Sequence, residues 1–235
     1  MDKGIYHVGL IPDGNRRWAS ANNKQTSEGH KEGSKKMELF MKWALKKPDI
    51  KEVTVYGLSE ENFKRSKEEL DWLYQIYYDG LSKLLKEKII RDEKVRVNFV
   101  STKANKIPNN IKEVLKEMKS ETKLYGNKIL NILLGYTGRS EILRAVNTPL
   151  NRFKNFFLGL DERDIQRALS VKNTCDFIIR TGEEEAPREA KSGFLLWQSA
   201  YAEYYHINKY FPDIDEKDLD IAWGYFLNAR RRKGI

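Results

Sequence analysis

Short runs of β-branched and aliphatic residues alternate along this chain with longer amphipathic stretches, and that order restricts the fold more than any other feature. The apolar runs lie at 8–11, 53–58, 95–100, 129–135, 177–180 and 204–208. Segments with helical spacing lie at about 31–47, 67–91, 109–125, 140–153, 161–169 and 216–231. Two parallel strands need a long crossover between them, usually a helix, so this alternation predicts an α/β fold with a mostly parallel sheet flanked by helices. No internal repeat or low-complexity linker interrupts it, and 235 residues suit a single domain, 1–235, with a sizeable core.

In such a sheet ligands bind beyond the C-terminal ends of the strands, so the residues after each apolar run are the informative ones. The first run ends in Pro12-Asp13-Gly14-Asn15-Arg16-Arg17-Trp18. An acid, a Gly-Asn pair that tolerates unusual backbone angles and two guanidinium groups then share one strand-to-helix turn. A metal-bound phosphate or diphosphate needs those groups together. Taken alone, the segment fits equally an Asp-Gly bend followed by a solvated basic stretch. The second run leads into Ser59-Glu60-Glu61-Asn62-Phe63-Lys64-Arg65, the fourth into Thr137-Gly138-Arg139 and the fifth into Arg180-Thr181-Gly182. Arginines from separate elements at one sheet edge exceed what a turn or a surface ion pair requires, and they suit diphosphate groups bound bidentately.

Charge agrees with an anionic ligand: 43 basic residues face 34 acidic ones, a formal net charge of +9. Basic residues sit beside acids at strand ends, not along one face, and no nucleic-acid motif is present, so nucleic acid is not the expected partner. The single cysteine, Cys175, excludes an internal disulfide framework and suits a reducing compartment. No apolar signal segment follows Met1, and the longest strongly apolar stretch, 129–134, is far too short to span a bilayer. The expectation is a cytoplasmic protein that meets membranes only at their surface. His7, His30 and His206 have no metal-ligand spacing, and no Ser-His-Asp or Cys-His arrangement is evident. The chemistry these residues suit is ionisation of a diphosphate ester by charge stabilisation.

With these blocks in view, the chain resembles the cis-prenyltransferases, the undecaprenyl diphosphate synthase family. His7 through Asp13-Gly14-Asn15-Arg16-Arg17-Trp18 matches a first signature, followed by Gly29-His30 and Gly33. Tyr56-Gly57-Leu58-Ser59-Glu60-Glu61-Asn62-Phe63-Lys64-Arg65 matches a second, and Leu130 through Arg139 a third. Arg180-Thr181-Gly182, then Ser192 through Gln198, then Tyr201-Ala202-Glu203 match the last. The resemblance spans nearly the whole chain. It implies a homodimer with a six-stranded parallel sheet and an elongated hydrophobic tunnel. The implied reaction is condensation of isopentenyl diphosphate with an allylic prenyl diphosphate to give a Z-prenyl diphosphate. Residue by residue, Asp13 would hold Mg²⁺ with Glu203 as a second ligand. Gly14, Asn15, Arg16, Arg17, His30 and Arg65 would hold the allylic diphosphate, and Arg180, Arg188 and Ser192 the isopentenyl diphosphate. Trp18, Ser59, Glu61 and Phe63 complete the substrate-binding set. Asn62, placed at proton removal, reads better as an orienting group, because an amide is a poor base. Arg232-Lys233-Gly234 matches a tail that reaches the partner's site, and the lipid product implies contact with a membrane surface.

Three departures bear on substrate choice. The family's arginine eight residues after the tryptophan is Thr26 here, and Lys24 is a point charge and not a fork. Twelve positions separate Arg180 from Ser192, four more than the family pattern, and the extra residues include Glu183-Glu184-Glu185; Lys191 therefore rivals Arg188. Phe63 stands where tryptophan is commoner. The altered loop leaves open a member that transfers its prenyl group to a second allylic diphosphate or to an alcohol. A non-catalytic partner subunit would lack the metal-binding acid, and Asp13 is present. An aspartyl phosphatase needs a second Asp where Ile11 stands. Product length would be set by the tunnel floor, for which Leu58, Leu133 and the 67–91 helix are candidates.

Overall fold

The computed structural model describes residues 5–182 and 191–229. In chain order the elements are β1 (Tyr6–Ile11), α1 (Asn15–Ala21), α2 (Thr26–Lys46), β2 (Ile50–Ser59), a 3₁₀ turn (Glu60–Lys64), α3 (Lys67–Lys86), α4 (Lys88–Asp92) and β3 (Val95–Val100). There follow α5 (Asn109–Thr122), β4 (Lys128–Tyr136), α6 (Gly138–Val146), α7 (Pro149–Phe157), α8 (Glu162–Ala168), β5 (Phe177–Thr181), β6 (Glu203–Ile207) and α9 (Glu216–Asn228). The strands form one six-stranded sheet in the order β3-β4-β2-β1-β5-β6, and all neighbouring strands run parallel. Each apolar run of the sequence is a strand of this sheet, as the alternation predicts. Among the described residues no helix is long and apolar enough to cross a membrane.

Both faces of the sheet are covered, which is why the strands read as nearly continuous apolar runs. Val8, Leu10, Val53, Val55, Phe177 and Ile179 face a large core completed by α2, α3, α5 and α9, through residues such as Phe40, Leu81, Met118 and Phe226. Ile11, Tyr56, Leu133, Tyr136 and Ile178 face a second core with Val171, Cys175, Phe194 and Leu195. Successive residues thus feed opposite cores, the period of two expected of a strand. One irregularity matters for the site. The β2–β4 register shifts between Tyr56 and Leu58, so Gly57 and Leu58 both line a cavity on the first face. Leu133 pairs with Tyr56 on the other face and is not part of that cavity's floor; Ile132 and Leu134 line it instead.

The helix boundaries depart from expectation for local reasons. The first expected helix, 31–47, begins earlier, at Thr26, because Gln25 and Glu28 form a capping box. Seven residues before it form a separate short helix, α1, which starts immediately after Gly14 at φ +105°. The expected 67–91 helix breaks at Glu87, whose backbone is extended, into α3 and α4. The expected 140–153 helix divides at Thr148-Pro149: proline holds the preceding residue extended and then opens α7.

At the strand ends α2 crosses close over α1, and glycine makes that approach possible. A Cβ on Gly29 would lie 2.2 Å from the Asn15 carbonyl oxygen, a backbone atom with no freedom to retreat. Gly80, in α3, has nothing within 4 Å of its would-be Cβ. Gly29→Ala is therefore expected to lower stability by about 3 kcal/mol through overpacking. Gly80→Ala is expected to raise it by roughly 0.5–1 kcal/mol through helix propensity. Urea unfolding of the two variants beside the wild type checks both signs.

Candidate active site

The chain turns from β1 to β2 on one side and places β5 on the other, so the strand order reverses beside β1. Asp13 and Arg180 meet at that switch point. Ile11 is in register with Arg180, and Asp13 follows two residues later. Three backbone contacts hold the turn. The Asp13 N–H donates to Thr181 Oγ1 at 2.9 Å, that hydroxyl donates back to the Asp13 carbonyl at 2.8 Å, and the Phe211 N–H donates to the same carbonyl at 3.1 Å. The Arg180 side chain is buried at 2% exposure, and one nitrogen, Nη2, donates to Asp13 Oδ2 at 2.6 Å. The other, Nη1, donates to Ser192 Oγ at 2.9 Å. Arg17 Nη2 lies 3.3 Å from the second Asp13 oxygen, Oδ1. Sequence elements 167 positions apart thereby form one charged unit.

A second cluster faces it from α2, α3 and the 3₁₀ turn. Arg65 Nη1 donates to Glu69 Oε1 at 2.9 Å, and the same oxygen lies 3.6 Å from His30 Nε2 and 3.8 Å from Arg16 Nε. Arg65 Nη1 is also 3.3 Å from His30 Nε2. Nε2 therefore stands between a guanidinium donor and a carboxylate acceptor. Burial, reinforced by the Arg65 charge, lowers the His30 pKa to about 4 despite Glu69. The imidazole is thus neutral near pH 7, and the positive charge of the cluster belongs to its arginines. Glu69 carried no sequence signal beyond its place in an amphipathic helix; only the fold reveals that three candidate ligands lean on it.

Ser59 and Asn62 cap the 3₁₀ turn reciprocally, with the Ser59 N–H donating to Asn62 Oδ1 at 2.9 Å. That oxygen is committed to the backbone, which favours an orienting role for Asn62 over a basic one. Between α2, α3 and the sheet lies a cavity of about 690 Å³. Asp13, Asn15, His30, Ser59, Glu61, Asn62, Arg65, Arg180 and Ser192 line its polar end. Met37, Met41, Leu73, Leu81, Leu84 and Ile132 line it as well, with charged groups such as Glu38, Lys83 and Glu87 among them. Anion donors and apolar side chains around one cavity suit an amphiphilic ligand.

Other expected residues stand aside from the cavity lining. Trp18 is buried, and its Nε1 donates to Asp213 Oδ1 at 2.7 Å, so it anchors the turn from behind. Phe63 packs against Gly135, and Lys106 lies 5.3 Å from its ring centre. Lys24 lies 4.9 Å over the Trp18 ring and does not line the cavity, so it does not replace the arginine absent at Thr26. Glu203 opens β6 in register with Phe177, whereas Arg180 pairs with His206. Three register steps, about 10 Å along the strand, separate Glu203 from the level of Arg180. Lys191 donates to the Ser199 carbonyl at 2.5 Å. Arg188 and the 232–234 tail lie outside the described residues. His7 is buried between Thr54 Oγ1 at 2.7 Å and the Thr174 carbonyl at 3.1 Å. Among the described residues no group of three or more His, Cys, Asp or Glu side chains is placed to hold a metal.

Residues 11–234 match the prenyltransferase family model described as "Putative undecaprenyl diphosphate synthase". The chain belongs to the undecaprenyl diphosphate synthase family, the cis-prenyltransferases. Among its relatives is the tritrans,polycis-undecaprenyl-diphosphate synthase (geranylgeranyl-diphosphate specific) of Pyrobaculum aerophilum, 37% identical over 97% of this chain and 95% of that one. The enzyme of the same description from Pyrococcus horikoshii is 38% identical over 97% of this chain and 86% of its own length. Among solved structures, lavandulyl diphosphate synthase from Lavandula x intermedia, in complex with dimethylallyl diphosphate, superposes with a TM-score of 0.88 at 26% identity, covering 98% of both chains. A probable undecaprenyl diphosphate synthase from Campylobacter jejuni gives 0.77 at 25%, covering 98% of this chain and 99% of that one. The expected family, fold and reaction class hold: this cis-prenyltransferase is a transferase of prenyl groups.

The depressed His30 pKa has a consequence for stability. Its folded value, about 4, lies below the ordinary histidine value of 6.5, so acid favours the unfolded chain. Its contribution is fully present above pH 6.5 and is lost as pH falls through 4. By linkage the loss reaches up to about 3 kcal/mol. Urea unfolding of wild type and His30→Gln between pH 7.5 and 4.5 should show a shallower pH slope in the variant; equal slopes would place the neutral imidazole elsewhere.

Proposed function

We propose that this cis-prenyltransferase extends an allylic prenyl diphosphate with isopentenyl diphosphate in a Mg²⁺-dependent reaction, with geranylgeranyl diphosphate as the favoured primer. The observation that carries the site assignment is the pair of charged clusters, around Asp13 and around Glu69, at the mouth of one apolar cavity. The primer assignment rests on the relatives, several of which are described as geranylgeranyl-diphosphate specific. Arg16, Arg17, His30 and Arg65, with the Gly14–Asn15 backbone, bind the allylic diphosphate and lead its tail into the cavity. Arg180, Ser192 and Arg188 bind the isopentenyl diphosphate. Asn62 orients the reacting ends. As the allylic C–O bond breaks, a C–C bond forms to the isopentenyl unit, diphosphate leaves, and a diphosphate oxygen takes the lost proton.

The Asp13 carboxylate keeps 31% exposure beside these anion donors. That donor set fits Mg²⁺, which takes one or two carboxylates and completes its shell with phosphate oxygens and water. When bound, the ion neutralises charge developing on the leaving diphosphate. The protein's own contribution is Asp13, held in place by Arg180 and Arg17. Glu203, three register steps from Arg180, should matter less to metal binding within one protomer. A second copy of the chain is the proposed partner, because Leu143, Leu150, Phe153 and Phe156 are each more than 60% exposed on α6 and α7. Membrane contact follows from the lipid product alone.

Thr26 and the parked Lys24 motivate a second reading, in which the acceptor is another allylic diphosphate or an alcohol. Incubating the protein with Mg²⁺, labelled isopentenyl diphosphate and several primers, with primer-only and alcohol arms, separates the two readings. No Mg²⁺-dependent product in any arm would sink both. Asp13→Asn is the discriminating variant, because it preserves shape. It should lower turnover about 100-fold or more, the scale of losing a preorganised charge, with little change in unfolding. Asp13→Ala should also cost about 3 kcal/mol of stability, because it leaves the Arg180 charge buried without its carboxylate. Turnover of Asp13→Asn above a tenth of wild type would move the metal to other residues.

A further inference from the structure

The loop that follows β6 contributes a residue to the site that no sequence signature marks. Tyr210 packs on the turn carrying Asp13. A Cβ on Gly14 would lie 2.9 Å from Tyr210 Cδ1 and 3.1 Å from its Cα, so the tyrosine rests directly on the glycine at φ +105°. The Arg17 guanidinium lies 5.7 Å from the centre of the same ring. Flanking contacts fix the loop: the Gly182 N–H donates to the Lys209 carbonyl at 2.8 Å, and the Phe211 N–H to the Asp13 carbonyl at 3.1 Å. Asp13 and Gly182 stand on the other side of Arg17, with Asp13 Oδ1 3.3 Å from Nη2.

We propose that Tyr210 is a positioning residue for diphosphate binding: its ring face holds the Arg17 guanidinium over the Asp13–Gly14 turn, presenting a planar fork to the allylic diphosphate. The inference rests on the binding role given to Arg17 above and extends it to a residue that touches no substrate. Arg17 is 40% exposed, and a long side chain at that exposure has many rotamers open to it. An aromatic face restricts those rotamers through a cation–π contact without consuming the N–H donors. This restriction carries more weight here than in a chain with an arginine at 26. Thr26 supplies no fork and Lys24 is engaged by Trp18, so the bidentate recognition falls to Arg16, Arg17 and Arg65.

The test uses Tyr210→Phe and Tyr210→Leu. Phenylalanine keeps the ring; leucine keeps apolar bulk against Gly14 but has no π face. Binding of inorganic diphosphate with Mg²⁺ is measured by titration calorimetry, and the KM values of both substrates are measured separately. Tyr210→Leu should weaken diphosphate binding and raise the allylic KM about five- to tenfold, the scale of a partly desolvated cation–π contact. The isopentenyl KM and kcat should stay within about twofold, and Tyr210→Phe should resemble wild type. In an Arg17→Lys background Tyr210→Leu should add little, since contacting residues are non-additive. This cycle also decides the matter if Tyr210→Leu alone lowers the melting temperature. Wild-type binding that leucine leaves unchanged, or phenylalanine as weak as leucine, overturns the inference alone. Absence of diphosphate binding by the wild type overturns it together with the site assignment beneath it.

Discussion

The rest of the site depends on one half-buried ion pair, Arg180 with Asp13. A guanidinium at 2% exposure needs acceptors, and a carboxylate and a hydroxyl supply two of them. That requirement ties the end of β5 to the turn after β1 and to Ser192. It draws the 191–202 segment over the second face of the sheet, where Phe194 and Leu195 complete a core. Ser192 and Leu195 adopt φ of +47° and +36°, unusual for residues with side chains, and the packing around them offsets that cost. Two strand ends, an irregular segment and a core layer therefore share one electrostatic constraint.

Glu69 plays the corresponding part on the opposite wall. Each arginine cluster rests against a carboxylate, Asp13 in one case and Glu69 in the other. Such pairing lowers the cost of holding like charges close together. On the proposed assignment, a diphosphate would compete with those carboxylates for the same donors, and geometry would decide selectivity more than raw charge. Asp13 differs from Glu69 in where its remaining exposure points: toward the cavity's polar end, where a hard cation and two diphosphates would converge.

Much of this was legible in the sequence because parallel strands and their end residues obey local rules. Val95–Val100 has the expected boundaries, β1, β2, β4 and β5 are longer by one to four residues at their ends, and β6 is shifted by one, to Glu203–Ile207. The start of β2 was hidden because Glu52 looks like a surface residue. It is buried, and it accepts from Asn131 Nδ2 at 2.6 Å and Asn173 Nδ2 at 2.5 Å, partners 79 and 121 positions away. Leu133 is a candidate for the cavity floor on sequence because nothing there says which face of β4 it takes; its place in the second core, paired with Tyr56, settles that. Glu69 and Tyr210 were missed for the same reason. Each acts through contacts across elements, with no periodicity or motif to announce them. Local chemistry named the ligands, and only the tertiary fold named what holds the ligands in place.

The two walls of the site differ in how firmly they are built, and the sequence departures follow that difference. Asp13, Arg180 and Thr181 are held at the ends of the central strands by hydrogen bonds to one another. Arg16 and Arg17 sit on the short helix α1, 63% and 40% exposed, while His30 lies in the first turns of α2 and Arg65 just after the 3₁₀ turn. A lost arginine at 26 falls on this looser wall, at the first residue of α2, where threonine costs the helix little. On the proposed assignment, substitution on the looser wall would alter primer binding and leave the charged unit at the strand ends intact. Primer choice would then drift in this fold faster than the reaction, because Asp13 and Arg180 are also tied to the ends of the central strands.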